Sequence, residues 1–285
     1  MPDRAPSRTA QGVALLRAAH QLLDARPLVL DDPVILRLLG STAAREISEA
    51  AARFQAPAAR ALRAHVVLRS RFAEDRLAAA ARRGITQCIV LGAGFDTFAF
   101  RQPDWARSLR VIEVDQPASQ ARKREQLAAA KIPTPSNVTF AAIDFERESL
   151  RDGLMRNGVA LDESTFFSCL GVTMYLIESA VDAILETVAE CPAGSEIVFT
   201  FAPPRPPDEA SDGSARGPTL AERAASIGEP WQSYFATEAL ESKLRRLGFP
   251  TVEFLTPMEA HRLYFASRDD DLPAPKRTTI VSAIR

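Results

Sequence analysis

A glycine turn, the acids that follow it and one arginine carry the chemistry open to this sequence. An apolar run over residues 85–91 ends in Gly92-Ala93-Gly94, and a second run, residues 111–114, ends in Asp115. Neither glycine has a Cβ, so the backbone there can approach a ligand closely. An acid about 20 residues beyond such a turn is where nucleotide-binding folds grip a ribose. The two features together describe a nucleoside crevice. The residues just after the turn discriminate among nucleosides. A dinucleotide site wants a third glycine and a long helix whose N-terminus faces the pyrophosphate. Here Thr97 stands at that third position, and Pro103 limits any helix starting near Asp96 to a couple of turns. The Asp96 charge would also repel a pyrophosphate. A ligand with ribose and adenine but no phosphate fits better, and S-adenosylmethionine is the common one.

The elements that position these residues can be read from periodicity. Residues 8–83 form a helical layer. Residues 9–24 are rich in alanine and leucine, and Asp31-Asp32-Pro33 opens a short helix. The longest helix runs from Pro57 in its first turn to Gly84 just past its end. Leu62, Val66, Ala73, Leu77 and Ala80 recur along it at helical spacing, and Arg69 falls on the same stripe while Arg71 points elsewhere. An arginine among buried positions needs an anionic partner, because leaving it unpaired is costly. A structural ion pair and a ligand contact satisfy that need equally well.

Beyond residue 84 strands alternate with helices. Strands are expected at 85–91, 111–115, 138–143, 166–172 and 196–201, and helices at 118–130, 179–190 and 237–247. Two last strands, 251–255 and 278–284, are expected to pair antiparallel at the sheet's edge. This alternation predicts an α/β fold with helices on both faces of a mostly parallel sheet. Ligands of such sheets sit beyond the C-terminal strand ends, an edge that Asp96, Asp115, Asp144 and the 171–175 turn would share. Residues 203–229 open with PPRPPDEASDGSARG, which cannot be packed core. That stretch reads as a lid or substrate segment, or else as a solvated excursion.

Composition narrows the class further. A net charge of -1 gives no electrostatic reason to expect nucleic acid or an anionic membrane as partner. No apolar run has the length of a membrane span, and the opening MPDRAPSRTA has no signal-peptide core, which together predict a cytoplasmic protein. Cys88, Cys169 and Cys191 show no CxxC spacing and read as reduced core thiols. His20, His65 and His261 are too scattered for a metal motif, so no metal is expected.

VLGAGFDTFAFR, followed by VIEVDQP, GVTMYL, GEPWQSYF and LGFPTVEFLTPMEAHRLYFASR, resembles the leucine carboxyl methyltransferase family, and more closely its bacterial branch of S-adenosylmethionine-dependent O-methyltransferases. The resemblance spans nearly the whole chain. It implies a class I methyltransferase (Rossmann-like) fold with a seven-stranded, mostly parallel sheet over residues 84–285. Residues 1–83 would be an N-terminal helical extension folded with that sheet as one unit. By the family pattern Arg69 would bind the cofactor's carboxylate, and Arg17 matches a basic residue near the same group. Gly92, Ala93 and Gly94 would pass the methionine part, and Asp96 would lie beside it. Asp115 would hold the ribose hydroxyls with Glu113 or Gln116 nearby, and Asp144 with Phe145 would address adenine. One departure stands out: Leu170 occupies a position where many members carry a glutamate close to cofactor and substrate.

The acceptor is expected to be a small molecule or a peptide C-terminus, methylated on a carboxylate or hydroxyl oxygen. A carboxylate, with an ordinary pKa of roughly 4, is ionised at neutral pH and needs no general base. A hydroxyl needs one, and Tyr175, His261 and His65 are the candidates. The absence of a base motif favours the carboxylate. An NAD-dependent oxidoreductase or a non-catalytic cofactor-binding protein would use the same crevice. The oligomeric state is not legible.

Overall fold

The computed structural model of the protein describes residues 7–204, 219–268, 270 and 272–285. Among these, seven strands form one sheet: β1 (Gln87–Leu91), β2 (Arg110–Asp115), β3 (Val138–Ala142), β4 (Thr165–Cys169), β5 (Glu196–Thr200), β6 (Thr251–Phe254) and β7 (Ile280–Ile284). Their order is β3-β2-β1-β4-β5-β7-β6. β7 runs antiparallel to both neighbours and every other pair is parallel. The chain therefore reverses its direction of travel across the sheet beside β1. That reversal opens a crevice at the C-terminal ends of β1 and β4.

β1 shows why the strands read as unbroken apolar runs. Ile89 and Leu91 join the core on one face of the sheet, while Cys88 and Val90 join the core on the other. Among the described residues ten helices flank the sheet or precede it: α1 (Arg8–Leu23), α2 (Pro33–Leu39), α3 (Ala43–Glu49), α4 (Ala51–Gln55), α5 (Pro57–Arg82), α6 (Pro117–Ala129), α7 (Leu150–Arg156), α8 (Glu178–Ala189), α9 (Leu220–Ser226) and α10 (Thr237–Arg246). A further short helix, α11 (Pro257–Ala260), runs into a π turn at His261–Phe265. None of these helices is long and apolar enough to cross a membrane.

α5 belongs to the sheet as much as to the helical layer. Its Val67, Leu68, Leu77 and Ala80 share one core with Val90, Val111, Phe166 and Val198 from the strands. Burying a side chain of valine or leucine size contributes about 1.5–3 kcal/mol, against at most about 0.7 kcal/mol per residue from helix propensity. Packing on the sheet therefore sets the position of α5. Its far end is tied down by the buried Glu196 of β5, which accepts from Arg76 and Arg83 at 2.6 Å each. A third core joins Ala14 and Ala18 of α1 and Ile35 of α2 to Phe95 and to Leu127 of α6.

Boundaries expected from the sequence shift in a few places. β4 ends at Cys169 rather than 172, because Gly171 turns the chain at φ 75° into a 3-10 turn over Thr173–Tyr175. The helices α7 and α11 were not expected. Ser149 and Thr256 cap them, each accepting the backbone N–H three residues on, and these caps are the local signal for both. Of the 203–229 segment, residues 205–218 lie outside the described residues. Its end is α9, closed by a capping box between Thr219 and Glu222. All three cysteines are buried and free.

Candidate functional site

The floor of the crevice is the turn after β1. Gly92 has φ 63°, and a Cβ there would lie 2.3 Å from Val172 Cγ2, so only glycine lets the turns after β1 and β4 meet. Asp115, at the end of β2, accepts the Gly94 N–H on Oδ2 at 2.6 Å and the Gln116 N–H on Oδ1 at 2.8 Å. The same carboxylate thus orders the glycine turn and the start of α6. Each oxygen keeps a further acceptor site for an incoming hydroxyl. Burial pushes the Asp115 carboxyl up, although those two amides pull the other way. Ala93 is buried and donates its N–H to Val114 O at 2.9 Å, while Gln116 Nε2 donates to Ser119 Oγ at 3.0 Å.

Asp144 follows on the neighbouring strand end, where Ile143 N–H donates to Asp115 O at 2.9 Å. Its Oδ1 accepts the Glu146 N–H at 3.1 Å, and Phe145 packs its ring on the adjacent core. Glu113 lies two residues before Asp115, on the same face of β2 but one pleat deeper. It is buried and paired with Lys123 Nζ at 2.6 Å, with Oε1 left without a partner. Burial pushes this carboxyl up against the pull of Lys123. Its side chain therefore lies in the interior beneath the crevice, not on its rim.

Asp96 and Thr97 join the crevice to the helical layer. Asp96 accepts the Phe98 N–H at 2.8 Å and lies 3.4 Å from Arg17 Nη1. Burial pushes its carboxyl up, but Arg17, Lys123 and Arg101 outweigh this and hold it below the ordinary value. Arg17 Nη2 also donates to Asp32 Oδ2 at 2.7 Å and to Thr97 Oγ1 at 2.9 Å. Thr97 donates to Asp32 at 2.7 Å and accepts from Arg101 Nε at 3.0 Å, and Arg101 in turn pairs with Glu74. The residue that stands where a dinucleotide fold has its third glycine is the hub of a buried ionic network. After it the chain forms only a 3-10 turn, Phe98–Phe100.

Arg69 reaches the crevice from α5. Its guanidinium lies against Gly171, where a Cβ would be 2.6 Å from Nη1. Among the described residues no hydrogen bond or ion pair reaches it. Burial pulls its pKa down to about 10, so it stays cationic at neutral pH. Leu170 beside it is half-buried and packs on the α5 core. His65, one turn earlier on α5, is held neutral: burial and then the Arg69 charge lower its pKa to about 4. Tyr175 contributes to the field at Arg69. His261 is exposed at the start of the π turn, and no hydrogen bond or ion pair joins it to a crevice residue.

Most of the residues singled out from the sequence thus converge on one sheet edge. Glu113 lies beneath that edge and His261 stands apart from it. The sequence pattern gives no role to Thr97 and Lys123, which hold charges of the site, or to Glu229, which lies outside it against the start of α1. Glu229 lies in the GEPWQSYF stretch, and its carboxylate accepts from the start of α1, at Arg8 N (2.5 Å) and Ser7 Oγ (3.0 Å). Its partners lie more than 200 residues away, so the motif around it does not show what it binds.

Strand order, the single antiparallel strand and the glycine-turn crevice define the class I methyltransferase fold. The leucine carboxyl methyltransferase family matches residues 10–189, and the chain belongs to that family. It is 35% identical over 207 residues to a Bacillus subtilis (strain 168) protein provisionally named S-adenosyl-L-methionine-dependent methyltransferase YktD, covering 71% of this chain and 66% of that one. A Mycobacterium avium (strain 104) protein with the same provisional description is 32% identical over 167 residues, which is 58% of this chain and 51% of that protein. The chain thus spans about half to two thirds of the length of these relatives. Among solved structures, one provisionally titled a methyltransferase, from Thermobifida fusca YX, shares the fold at TM-score 0.54 and 17% identity, covering 98% of this chain and 94% of that one. A Streptomyces avermitilis MA-4680 protein does so at TM-score 0.53 and 16% identity, covering 96% and 95%.

Proposed function

We propose that this protein is an S-adenosylmethionine-dependent O-methyltransferase acting on a carboxylate or hydroxyl oxygen of a small molecule or peptide C-terminus. The observation that carries this reading is the Arg69 guanidinium, cationic and without a partner among the described residues, at the edge of a crevice that already has a ribose-type acid. In this reading Arg69 holds the cofactor's carboxylate, with Arg17, whose buried Nε has no partner, beside it. The Gly92–Gly94 backbone passes the methionine part between Asp96 and Leu170. Asp115 accepts from the ribose hydroxyls with Gln116 adjacent and Glu113 below, and Asp144 and Phe145 border adenine. Leu170 keeps the reacting region apolar where many relatives carry an acid.

When bound, S-adenosylmethionine supplies a methyl group already activated by its sulfonium charge. The protein's task is then to orient the acceptor oxygen in line and to exclude water. An ionised carboxylate needs no proton removed. A histidine held as neutral as His65 is a weak base, which favours a carboxylate over a hydroxyl acceptor. The same reading takes the protein to act in the cytoplasm without a membrane or nucleic-acid partner.

Calorimetric titration with S-adenosylmethionine, S-adenosylhomocysteine and NADH in parallel tests the proposal. Micromolar binding of both adenosyl ligands and none of NADH is expected. The hub role of Thr97 and the short turn after it leave no helix N-terminus for a pyrophosphate. Binding of NADH alone would replace the proposal with the oxidoreductase reading. A purified protein that methylates only hydroxyls, with activity rising through a pKa of about 7, would remove the carboxylate preference.

A further inference from the structure

The first turn of α1 and residues 229–235 form two walls of the crevice, and one carboxylate joins them. The N-terminal amides of a helix have no partner inside it. In α1, Ser7 Oγ accepts the Ala10 N–H at 3.1 Å, which is a local cap. The other free amides, Arg8 N–H at 2.5 Å and Thr9 N–H at 3.2 Å, donate to Glu229. So do the hydroxyls of Ser7, at 3.0 Å, and Thr9. Those hydrogen bonds hold the Glu229 carboxyl below its ordinary value against the opposing effect of burial.

The clamped turn lies over the crevice. Ala10 Cβ is 3.5 Å from the point where a Gly94 Cβ would be, and Ser7 N–H reaches Ser119 Oγ, the group that Gln116 also holds, at 3.4 Å. On the other side of Glu229 the chain is tied to the turn after β4. Gln232 donates its backbone N–H to Met174 O and its Nε2 to Tyr175 O, both at 2.6 Å, and Ser233 Oγ donates to Thr173 O at 2.8 Å. A ligand in the crevice beside the Gly94–Asp115 contact would therefore lie under a turn that is tied to a residue more than 200 positions away.

We infer that Glu229 is a positioning residue, which holds the first turn of α1 closed over the cofactor crevice and so governs cofactor retention rather than methyl transfer. The inference rests on the cofactor reading given above. The test uses the full chain and two variants, Glu229→Gln and the milder Thr9→Val. Hydrogen exchange of residues 7–12 is measured on the ligand-free protein, S-adenosylhomocysteine affinity and release by calorimetry and stopped flow, and KM and kcat wherever an acceptor is known. Glu229→Gln should lose amide protection in residues 7–12 and weaken S-adenosylhomocysteine binding by about tenfold, mainly through faster release, with kcat little changed. Thr9→Val should shift the same quantities in the same direction by less. Unchanged protection would overturn the clamp. Lost protection with unchanged affinity and release would overturn its role in cofactor retention. If the wild-type protein binds no adenosyl ligand, the cofactor reading itself fails and takes this role with it. If the wild type binds and the variants match it, only this inference fails.

Discussion

Two arginines six residues apart on α5 show how the fold satisfies the same side chain in one place and not in another. Arg63 is fully buried and fully spent. Its Nε and Nη2 donate to the two Asp24 oxygens at 2.7 and 2.6 Å, and Nη1 donates to Phe54 O at 2.7 Å. Asp24 is also bonded to His20 Nδ1 at 2.7 Å. Arg69 lies half-buried against Gly171 with no such partner. A guanidinium withdrawn from water is tolerated only when its donors are satisfied. The helical layer supplies those acceptors at Arg63, whereas the crevice leaves them to be supplied at Arg69.

Replacing each arginine by alanine breaks the comparison most directly. Arg63→Ala strands the Asp24 carboxylate in the interior and should cost about 3–5 kcal/mol of stability in urea unfolding. Arg69→Ala should leave unfolding nearly unchanged while weakening S-adenosylmethionine binding by about 1–3 kcal/mol. Equal losses of stability in the two variants would mean that Arg69 is another structural cation.

The unpaired charge should also be visible in how His65 titrates. Its folded pKa is lowered from 6.5 to about 4, first by burial and then by Arg69. Folding therefore favours the neutral ring. The stability due to this group is fully present above the unfolded value of 6.5 and is lost as pH falls from there through 4. The loss should be on the order of 3 kcal/mol and absent in His65→Asn. NMR titration of the ring in Arg69→Met should show a higher pKa than in the wild type. An identical value would mean that the Arg69 charge does not act there.

The smallest expected effect comes from Gly171→Ala. A side chain at φ 75° is strained by about 1–2 kcal/mol, and its Cβ would push the Arg69 guanidinium out of position. Adenosyl-ligand affinity should drop a few-fold, and in an Arg69→Ala background the substitution should change affinity no further.

Much of this architecture follows from local pattern. The run ending in Gly92–Gly94, the acid at 115, and the Pro57 start and Gly84 stop of α5 each rest on residues close in sequence, and the elements formed as those signals require. The short helix α7 has a single capping residue, Ser149, as its local signal, and α11 has Thr256, Pro257 and Glu259 in a capping-box pattern but only four residues, too few to show a helical period. Glu113 was harder to read. Its spacing from Asp115 sets the face of β2 but not the depth, and Lys123 draws it inward. Thr97 was legible only as a missing glycine, because its partners Arg17, Asp32 and Arg101 come from three separate segments.

Periodicity and turn chemistry alone therefore determined the α/β order, the crevice and the residue types that face it, since these depend on neighbours within a few positions. Folding decided which charges are satisfied. Arg63 and Arg69 are indistinguishable by residue type, and helical spacing says nothing of their partners. Only the positions of Asp24 and Gly171, brought to α5 from opposite sides in sequence, give one a partner and leave the other without one among the described residues. The same holds for Glu229, whose carboxylate meets the start of α1 across more than 200 residues. Hydrogen bonds and ion pairs act over about 3 Å, and no sequence period encodes which distant atoms arrive within that distance.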